Sequence, residues 1–296
     1  MPIILRFEIM KEITKRTIFG GLFVVIVIGS ILLNFYAFAT VMAAAVFIGT
    51  RELCKLLPAK TETGNESGKC CLDCLECEVL AFVMLVFMVS VILLKTGIPF
   101  SMIGLLFALP VIFMLTPFLL ALFSKRHSFT EMAGSCWTSL LFVALPCFLI
   151  LSLYNSCPLP AINGKLLTIL LFALIWINDI FAYLSGMAFG RHPLFKRISP
   201  KKTVEGSLGG CAMTVLTAYL ANHFWLHAMG NVEMMGLAAV VVVFGSLGDL
   251  CESMLKRQAG VKDSGNVIPG HGGVLDRFDA MFLAVPFAFC YLIIIS

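Results

Sequence analysis

Residues 166–184 read LLTILLFALIWINDIFAYL, an apolar run that a soluble protein would have to bury completely. A helix of about 20 such residues spans the ~30 Å hydrocarbon core of a bilayer. Similar runs recur along the 296-residue chain, of which 60% is hydrophobic and only 13% charged. Soluble proteins carry roughly 25% charged residues. The composition therefore predicts an all-α, polytopic integral membrane protein.

Nine apolar segments are long enough for one crossing each. They cover residues 17–33, 35–50, 79–94, 99–123, 132–153, 166–184, 208–227, 232–252 and 280–296. The first two form one run that is too long for a single crossing of the hydrocarbon core. We expect a division near Asn34 into two short crossings, with a re-entrant pair as the alternative.

The basic residues orient these segments. If the N-terminus is cytoplasmic, every one of the 21 Lys and Arg residues except Lys95 and Lys165 falls on an inside segment. Cytoplasmic loops carry such an excess of positive charge. We therefore expect a cytoplasmic N-terminus and a C-terminus on the outside. A signal peptide cleaved near Ala37-Phe38-Ala39 is the competing interpretation, but the apolar run continues through that position.

The chain divides by where its ionisable residues lie. Residues 1–160 are predicted to hold N-terminal transmembrane helices and a cytoplasmic cysteine-rich loop, with almost no ionisable side chain inside the apolar segments. In residues 161–296, ionisable groups enter the segments and the inner loops lengthen. Because charges inside a membrane usually serve a function, we expect the second part to be catalytic.

The cysteine-rich loop is the exception in the first part. Cys71, Cys74 and Cys77 have C-x-x-C-x-x-C spacing, which can hold zinc or an iron–sulfur cluster. No nearby histidine or second C-x-x-C pair completes a better zinc site. We interpret the stretch as an incidental juxtamembrane turn, with metal binding and lipid modification as the alternatives.

Acidic side chains lie inside two apolar segments, Asp179 in the sixth and Asp249 in the eighth. One helical face, at positions i, i+3, i+4, i+7 and i+8, carries Asp249, Glu252, Ser253, Lys256 and Arg257. A charge at the bilayer centre costs about 2.5–3.5 kcal/mol on insertion scales. Such groups usually face a cavity or a partner. A helix end that becomes hydrated is the alternative.

A basic stretch, residues 191–202, precedes the seventh segment and ends in Ser199-Pro200-Lys201-Lys202. Serine followed by proline is typical of a helix N-cap and the first helical residue. Free amides at such a helix start favour an anion, and two lysines lie beside them. An ordinary positive-inside loop is the alternative.

Residues 262–279, KDSGNVIPGHGGVLDRFD, combine glycines with charges. Gly270, Gly272 and Gly273 would let backbone amides converge on an anion. A carboxylate of this stretch, Asp276 or Asp279, could share one hard cation with Asp249, since such a cation takes oxygen ligands and substrate phosphates. Basic side chains that could neutralise phosphates are Lys256, Arg257, Lys262 and Arg277.

This set of residues predicts phosphoryl or nucleotidyl transfer at the cytoplasmic face. The chain has no G-x-x-x-x-G-K-[ST] sequence, which excludes an ordinary P-loop. His271 has two open interpretations, a direct role in the reaction or a structural hydrogen bond.

The long motif near the C-terminus resembles that of the phosphatidate cytidylyltransferases, or CDP-diacylglycerol synthases. It comprises Ser253, Lys256-Arg257, Lys262-Asp263, Gly265, Ile268 to Gly273, and Asp276-Arg277-Phe278-Asp279. The family's other second-half motifs are similar to Asp179, Ala182-Tyr183, Gly186, Gly190 and the run from Ser199 to Gly206. Val204 stands where the family often has an aromatic residue. The chain length and short N-terminus resemble the bacterial branch.

The resemblance implies the reaction of CTP with phosphatidate to give CDP-diacylglycerol and pyrophosphate, a step of phospholipid biosynthesis. It implies Mg²⁺, with K⁺ as a candidate monovalent cation, and a homodimer in the bacterial inner membrane that binds no nucleic acid. Three acids are assigned to the metal, Asp249, Asp276 and Asp179. Catalytic roles fall to Asp249, Ser253, Asp276, Lys262 and His271. The substrate phosphates are assigned to Lys201, Lys202, Lys256, Arg257, Arg277, Gly272 and Gly273.

Two other functions remain open on the residues alone. A CTP-dependent lipid-alcohol kinase is the nearest enzymatic alternative. A secondary transporter is the alternative from another class, but transporters usually bind near the bilayer midplane and often contain inverted repeats. The acids here lie near one predicted face and no repeat is visible, which disfavours transport.

Overall fold

The structure is a computed structural model of the chain. It describes residues 3–57, 115, 122, 129–155, 157–158, 163–227, 229–265, 267 and 272–296. The predicted crossings 79–94 and 99–123 lie outside these residues, apart from positions 115 and 122, and so do the cysteine-rich loop and His271.

Two compact units make up the chain. The first unit contains Met1–Ala144 and Gln258–Arg277, and the second contains Leu145–Arg257 and Phe278–Ser296. The division predicted between residues 160 and 161 stays a prediction.

Most of the described chain is helical. The helices are α1 (Ile3–Leu33), α2 (Phe35–Leu56), α3 (Phe129–Ser139), α4 (Leu145–Asn155), α5 (Gly164–Phe189), α6 (Val204–Ala221), α7 (Asn231–Gln258) and α8 (Leu275–Ile295). Short π-helical turns at Leu140–Ala144 and Asn222–Leu226 follow α3 and α6, and two strands, β1 (Pro193–Phe195) and β2 (Ser199–Thr203), separate α5 from α6.

Five helical stretches within the described ranges are long and apolar enough to cross a membrane. They are Phe35–Leu56, Ala133–Asn155, Gly164–Phe189, Asn231–Gln258 and Leu275–Ile295. This is the architecture of a multi-pass integral membrane protein built from helices, as the composition predicts. The count of nine crossings and the sides of the two termini stay predictions.

The predicted division of the first apolar run is confirmed. Between α1 and α2, Asn34 adopts an extended backbone with φ −167° and ψ 171°. Its side-chain Oδ1 accepts a hydrogen bond of 2.8 Å from the Ala37 amide, which is the usual N-cap arrangement. A single asparagine therefore ends one helix and starts the next.

Glycines let α5 and α6 pack closely in the second unit. A Cβ atom on Gly206 would lie 2.6 Å from the backbone oxygen of Ala182, and one on Gly210 would lie 2.8 Å from that of Asn178. Backbone atoms cannot move aside cheaply, so these positions accept no side chain. Small residues at such a spacing are typical of helix contacts in membranes.

The predicted helix start at Ser199-Pro200 is wrong. Residues 199–203 form β2, which pairs antiparallel with β1 in the register Phe195↔Ser199 and Pro193↔Thr203. The helix begins one residue after the strand, where the Thr203 Oγ1 accepts a hydrogen bond of 3.1 Å from the Gly206 amide. A proline in the two-stranded hairpin is tolerated, since it need not donate to a neighbouring strand. The true N-cap is thus Thr203.

Candidate active site

The hairpin of the second unit brings Lys202 to Asp249. Neighbouring residues of a strand point to opposite faces, and Lys201 is exposed whereas Lys202 is half-buried. The Lys202 Nζ donates a hydrogen bond to the Asp249 Oδ2. On the same carboxylate, Oδ1 accepts a hydrogen bond of 3.2 Å from Ser253, one turn further along α7. Three of the predicted site residues therefore meet at one carboxylate.

A second ion pair lies on the same helix. Lys256 Nζ is 3.0 Å from Glu252 Oε1, four residues earlier, and the two side chains are only 10% and 0% exposed. The helix α7 continues to Gln258, so the predicted helical face of Asp249, Glu252, Ser253, Lys256 and Arg257 is confirmed. A buried charge without its partner would be costly, so Glu252 has the physical role of neutralising Lys256.

Acidic side chains gather near Asp249 in the second unit. Asp279 interacts electrostatically with Asp249, Asp179 and, with opposite sign, Lys256. Carboxylate and hydroxyl oxygens are the ligands that a hard divalent cation prefers. The described ranges contain no group of three or more His, Cys, Asp or Glu side chains arranged to hold a metal ion. One or two of these carboxylates would suit a magnesium ion, which commonly takes few protein ligands.

Glu205 closes the base of the hairpin. Its Oε2 accepts hydrogen bonds from the amides of Arg191 at 3.1 Å and His192 at 3.2 Å, and its Oε1 lies 2.6 Å from the His192 Nδ1. The hydrogen bond from the His192 side chain, reinforced by the backbone amides, lowers the pKa of the Glu205 carboxyl to about 2. Glu205 is therefore ionised throughout the neutral range and ties α6 to the chain that leaves α5.

Asp276 lies in the first unit, in the first turn of α8. Its Oδ2 accepts hydrogen bonds from the Ser264 amide at 2.8 Å, the Ser264 hydroxyl at 2.9 Å and the Gly273 amide at 2.8 Å. Gly272 has a φ of +81°, which favours glycine. The carboxylate therefore joins residue 264 to the start of the helix.

Glu52 is the residue that sequence reasoning missed in the first unit. It lies in α2 and is only 4% exposed. Its carboxylate accepts hydrogen bonds from the Ser264 hydroxyl at 3.1 Å, the Val274 amide at 3.1 Å and the Leu275 amide at 2.8 Å. A signal existed in the sequence, because an acid interrupts the buried stripe of Phe38, Met42, Ala45, Gly49, Glu52 and Leu56, at helical spacing.

The other predicted site residues fall in both units. Lys201, Arg257 and Lys262 are exposed, and Arg277 is half-buried. The Gly273 amide donates to Asp276, and its phosphate-binding role stays a prediction. Asp249 belongs to the second unit and Asp276 to the first, and their sharing of one metal ion is likewise a prediction.

The chain belongs to the cytidylyltransferase family, which matches its residues 14–295. Among its relatives, a phosphatidate cytidylyltransferase of Haemophilus influenzae is 44% identical over 129 residues, or 42% of this chain and 45% of the relative. The enzyme of that name from Synechocystis is 44% identical over 133 residues, 45% of each chain. One from Staphylococcus aureus is 43% identical over 115 residues, 39% of this chain and 44% of the relative. The chain thus spans less than half the length of these relatives, and the resemblance seen in its motifs is confirmed.

Proposed function

We propose that this protein is a phosphatidate cytidylyltransferase of the bacterial cytoplasmic membrane. It would transfer the cytidylyl group of CTP to phosphatidate, giving CDP-diacylglycerol and pyrophosphate for phospholipid biosynthesis. The observation that carries the proposal is the 44% identity to relatives of that name. The Asp249 carboxylate supports the proposal independently, because it accepts hydrogen bonds from both Lys202 and Ser253.

The main task of the protein in this reaction is to stabilise negative charge on the phosphate oxygens. A phosphate oxygen of phosphatidate attacks the α-phosphorus of CTP, and the bond from that phosphorus to the bridging oxygen of the β-phosphate breaks. Pyrophosphate leaves with the electron pair. Lysine and arginine side chains stabilise the charge on such oxygens. We assign this role to Lys201, Lys256, Arg257, Lys262 and Arg277, with the amides of Gly272 and Gly273 and the His271 ring as further contacts. The sequence also predicts a phosphate contact for Lys202, but its Nζ donates to Asp249, and we propose that Lys202 acts by holding that carboxylate.

Asp249 and Asp276 are the proposed ligands of Mg²⁺, with Ser253 beside Asp249 and Asp179 as a further acid. A magnesium ion bound there supplies positive charge to the phosphate oxygens of CTP. Lys202 and Ser253 both hold the Asp249 carboxylate, so they would orient it toward a bound ion. K⁺ is a candidate second cation.

The predicted topology lets both substrates reach this site. With a cytoplasmic N-terminus, nine crossings and an outside C-terminus, the motif residues face the cytoplasm. CTP arrives from the water phase, and phosphatidate enters sideways with its headgroup at the inner leaflet. We also propose a homodimer, as the family resemblance implies.

The position of the radioactive label in CTP separates the proposed reaction from its alternatives. Purified protein in phosphatidate-containing detergent micelles should give a labelled lipid from α-³²P CTP and labelled pyrophosphate from γ-³²P CTP. A lipid-alcohol kinase would instead label diacylglycerol or another lipid alcohol from γ-³²P CTP. No labelled lipid from either nucleotide, together with ion-coupled uptake in vesicles, would indicate a transporter and refute the proposal.

Removal of the metal tests the magnesium assignment. Chelation with EDTA should abolish turnover, and added Mg²⁺ should restore it. Asp276→Asn should abolish turnover as well, because a neutral amide binds Mg²⁺ poorly. Wild-type turnover by this variant, in protein that inserts normally, would exclude Asp276 as a ligand.

A further inference from the structure

The carboxylate of Glu52 gathers the two ends of the glycine-rich segment in the first unit. Its partners are the Ser264 hydroxyl and the amides of Val274 and Leu275. These partners are 212 to 223 residues away in the chain. All three partners are hydrogen-bond donors. An ionised carboxylate suits them because it has two acceptor oxygens and no donor of its own.

Ser264 connects Glu52 to Asp276. The serine hydroxyl lies 3.1 Å from the Glu52 Oε2 and 2.9 Å from the Asp276 Oδ2, and Ser264 is only 6% exposed. One hydroxyl proton cannot serve both carboxylates fully at the same time. The two acids therefore share a donor, and a change at Glu52 alters the surroundings of Asp276.

The glycines of this segment leave space for the Glu52 side chain. A Cβ atom on Gly265 would lie 2.5 Å from the Glu52 Oε1. One on Gly273 would collide with both Glu52 and Ser264. Gly265 and Gly273 must therefore lack a side chain because Glu52, from a distant helix, fills the space. This explanation does not depend on phosphate binding.

We propose that Glu52 is a positioning residue, which anchors residues 264 and 273–275 and so sets the place of the Asp276 carboxylate. The predicted effect of Glu52 on turnover rests on the proposed cytidylyltransferase function. The predicted anchoring of residues 264 and 273–275 does not. Residues that orient a metal ligand typically contribute 10- to 100-fold to metal affinity or activity. Glu52 reaches the reaction only through Asp276, so its loss acts on the magnesium requirement.

Two variants test this anchoring. Glu52→Gln replaces an acceptor oxygen with an NH₂ group that faces donors, so at least one hydrogen bond is lost. Glu52→Asp keeps both oxygens but is one methylene shorter. The matched control is Glu233→Gln, because Glu233 is an exposed glutamate whose Oε2 accepts a hydrogen bond of 2.9 Å from the Gly230 amide at the start of α7.

The first readout is amide hydrogen exchange of the detergent-solubilised protein, followed by mass spectrometry. Glu52→Gln should speed exchange by about tenfold in peptides that cover residues 264 and 273–275, because a buried donor loses its partner and opens more easily, and Glu52→Asp should speed it less. Glu233→Gln should leave those peptides unchanged. Unchanged exchange in folded Glu52→Gln protein would overturn the proposal, whatever the activity.

The second readout is turnover against Mg²⁺ concentration. Glu52→Gln should lower kcat/KM about 10- to 100-fold and raise the Mg²⁺ concentration needed for half-maximal activity, and Glu52→Asp should recover part of both. Loss of activity with an unchanged magnesium requirement would overturn the link to Asp276. A wild-type protein that makes no CDP-diacylglycerol refutes the proposed function, whereas the exchange result still decides the anchoring.

Discussion

The pair formed by Lys202 and Asp249 allows a double-mutant cycle on turnover. The variants are Lys202→Met, Asp249→Asn and the two combined. If Lys202 acts by holding the Asp249 carboxylate, its contribution should disappear once that carboxylate is neutral. If Lys202 instead binds a substrate phosphate directly, the two losses should multiply.

The size of the Lys202 effect follows from the exposure of the pair. The two side chains are 30% and 25% exposed, so water screens their attraction in part. Two unit charges about 4 Å apart interact by about 4 kcal/mol at an effective dielectric constant near 20, whereas fully exposed pairs contribute about 0–1 kcal/mol. The interaction energy of this half-buried pair should lie between these values, at about 1.5–2 kcal/mol. Its loss in Lys202→Met corresponds to a roughly 10- to 30-fold lower kcat/KM.

Asp249→Asn should cost more. It removes the charge that holds Lys202, weakens the contact from Ser253 and neutralises a proposed magnesium ligand. Loss of one preorganised electrostatic group in an active site lowers kcat about 10²–10³-fold. The double variant should be no slower than Asp249→Asn, because the lysine then has no carboxylate to hold.

The assay measures CDP-diacylglycerol formed from α-³²P CTP by protein whose expression and membrane insertion match the wild type. Two results would refute the reasoning. Wild-type activity in Asp249→Asn would remove that residue from the site. A double variant whose loss equals the product of the two single losses would show that Lys202 acts independently of Asp249.

Further predictions concern the cysteines, the helix packing and pH. The pair Cys71→Ser with Cys74→Ser should leave turnover unchanged; a large loss would favour a metal site there. Gly206→Ala places a Cβ 2.6 Å from a backbone oxygen and should lower the free energy of unfolding of the detergent-solubilised protein by about 1–3 kcal/mol. Gly29→Ala, whose Cβ would have nothing within 4 Å, should leave it unchanged. The pKa of Glu205 is lowered from its usual 4.5 to about 2, so its contribution to folding stability is complete above about pH 4.5 and lost towards pH 2. Thermal unfolding of the wild type and Glu205→Gln should therefore converge as the pH falls through that window, and a constant difference would contradict the assignment.

Local signals predicted the helices well. The composition identified apolar helices, and Asn34 marked a helix boundary because an asparagine side chain can cap the chain that follows it. Helical spacing also placed Asp249 and Ser253 on one face, where the structure joins them by a hydrogen bond of 3.2 Å. These features depend on residues within a few positions of each other, which is why periodicity alone could reveal them.

Non-local contacts explain what was missed. Ser199-Pro200 has a local helix-start pattern, but residues 199–203 pair with β1 instead, and the capping role passes to Thr203. The helical spacing of its neighbours marks Glu52 as an unusual acid, but its partner Ser264 lies 212 residues away in the chain. No local pattern contains such a pairing, because propensities describe neighbours along the chain and not contacts across it.

The electrostatics of the second unit bear on the proposed cation. Asp279 interacts electrostatically with both Asp179 and Asp249, although all three lie in strongly apolar helices. Like charges repel strongly where water is scarce, so positive charge nearby would stabilise these acids in their ionised form. Lys202 offsets Asp249 directly. Lys256 also acts on Asp279, but it is paired with Glu252 at 3.0 Å. The proposed divalent ion, bound together with CTP, would lower the remaining repulsion, so the charge balance of these acids would affect how tightly the nucleotide binds.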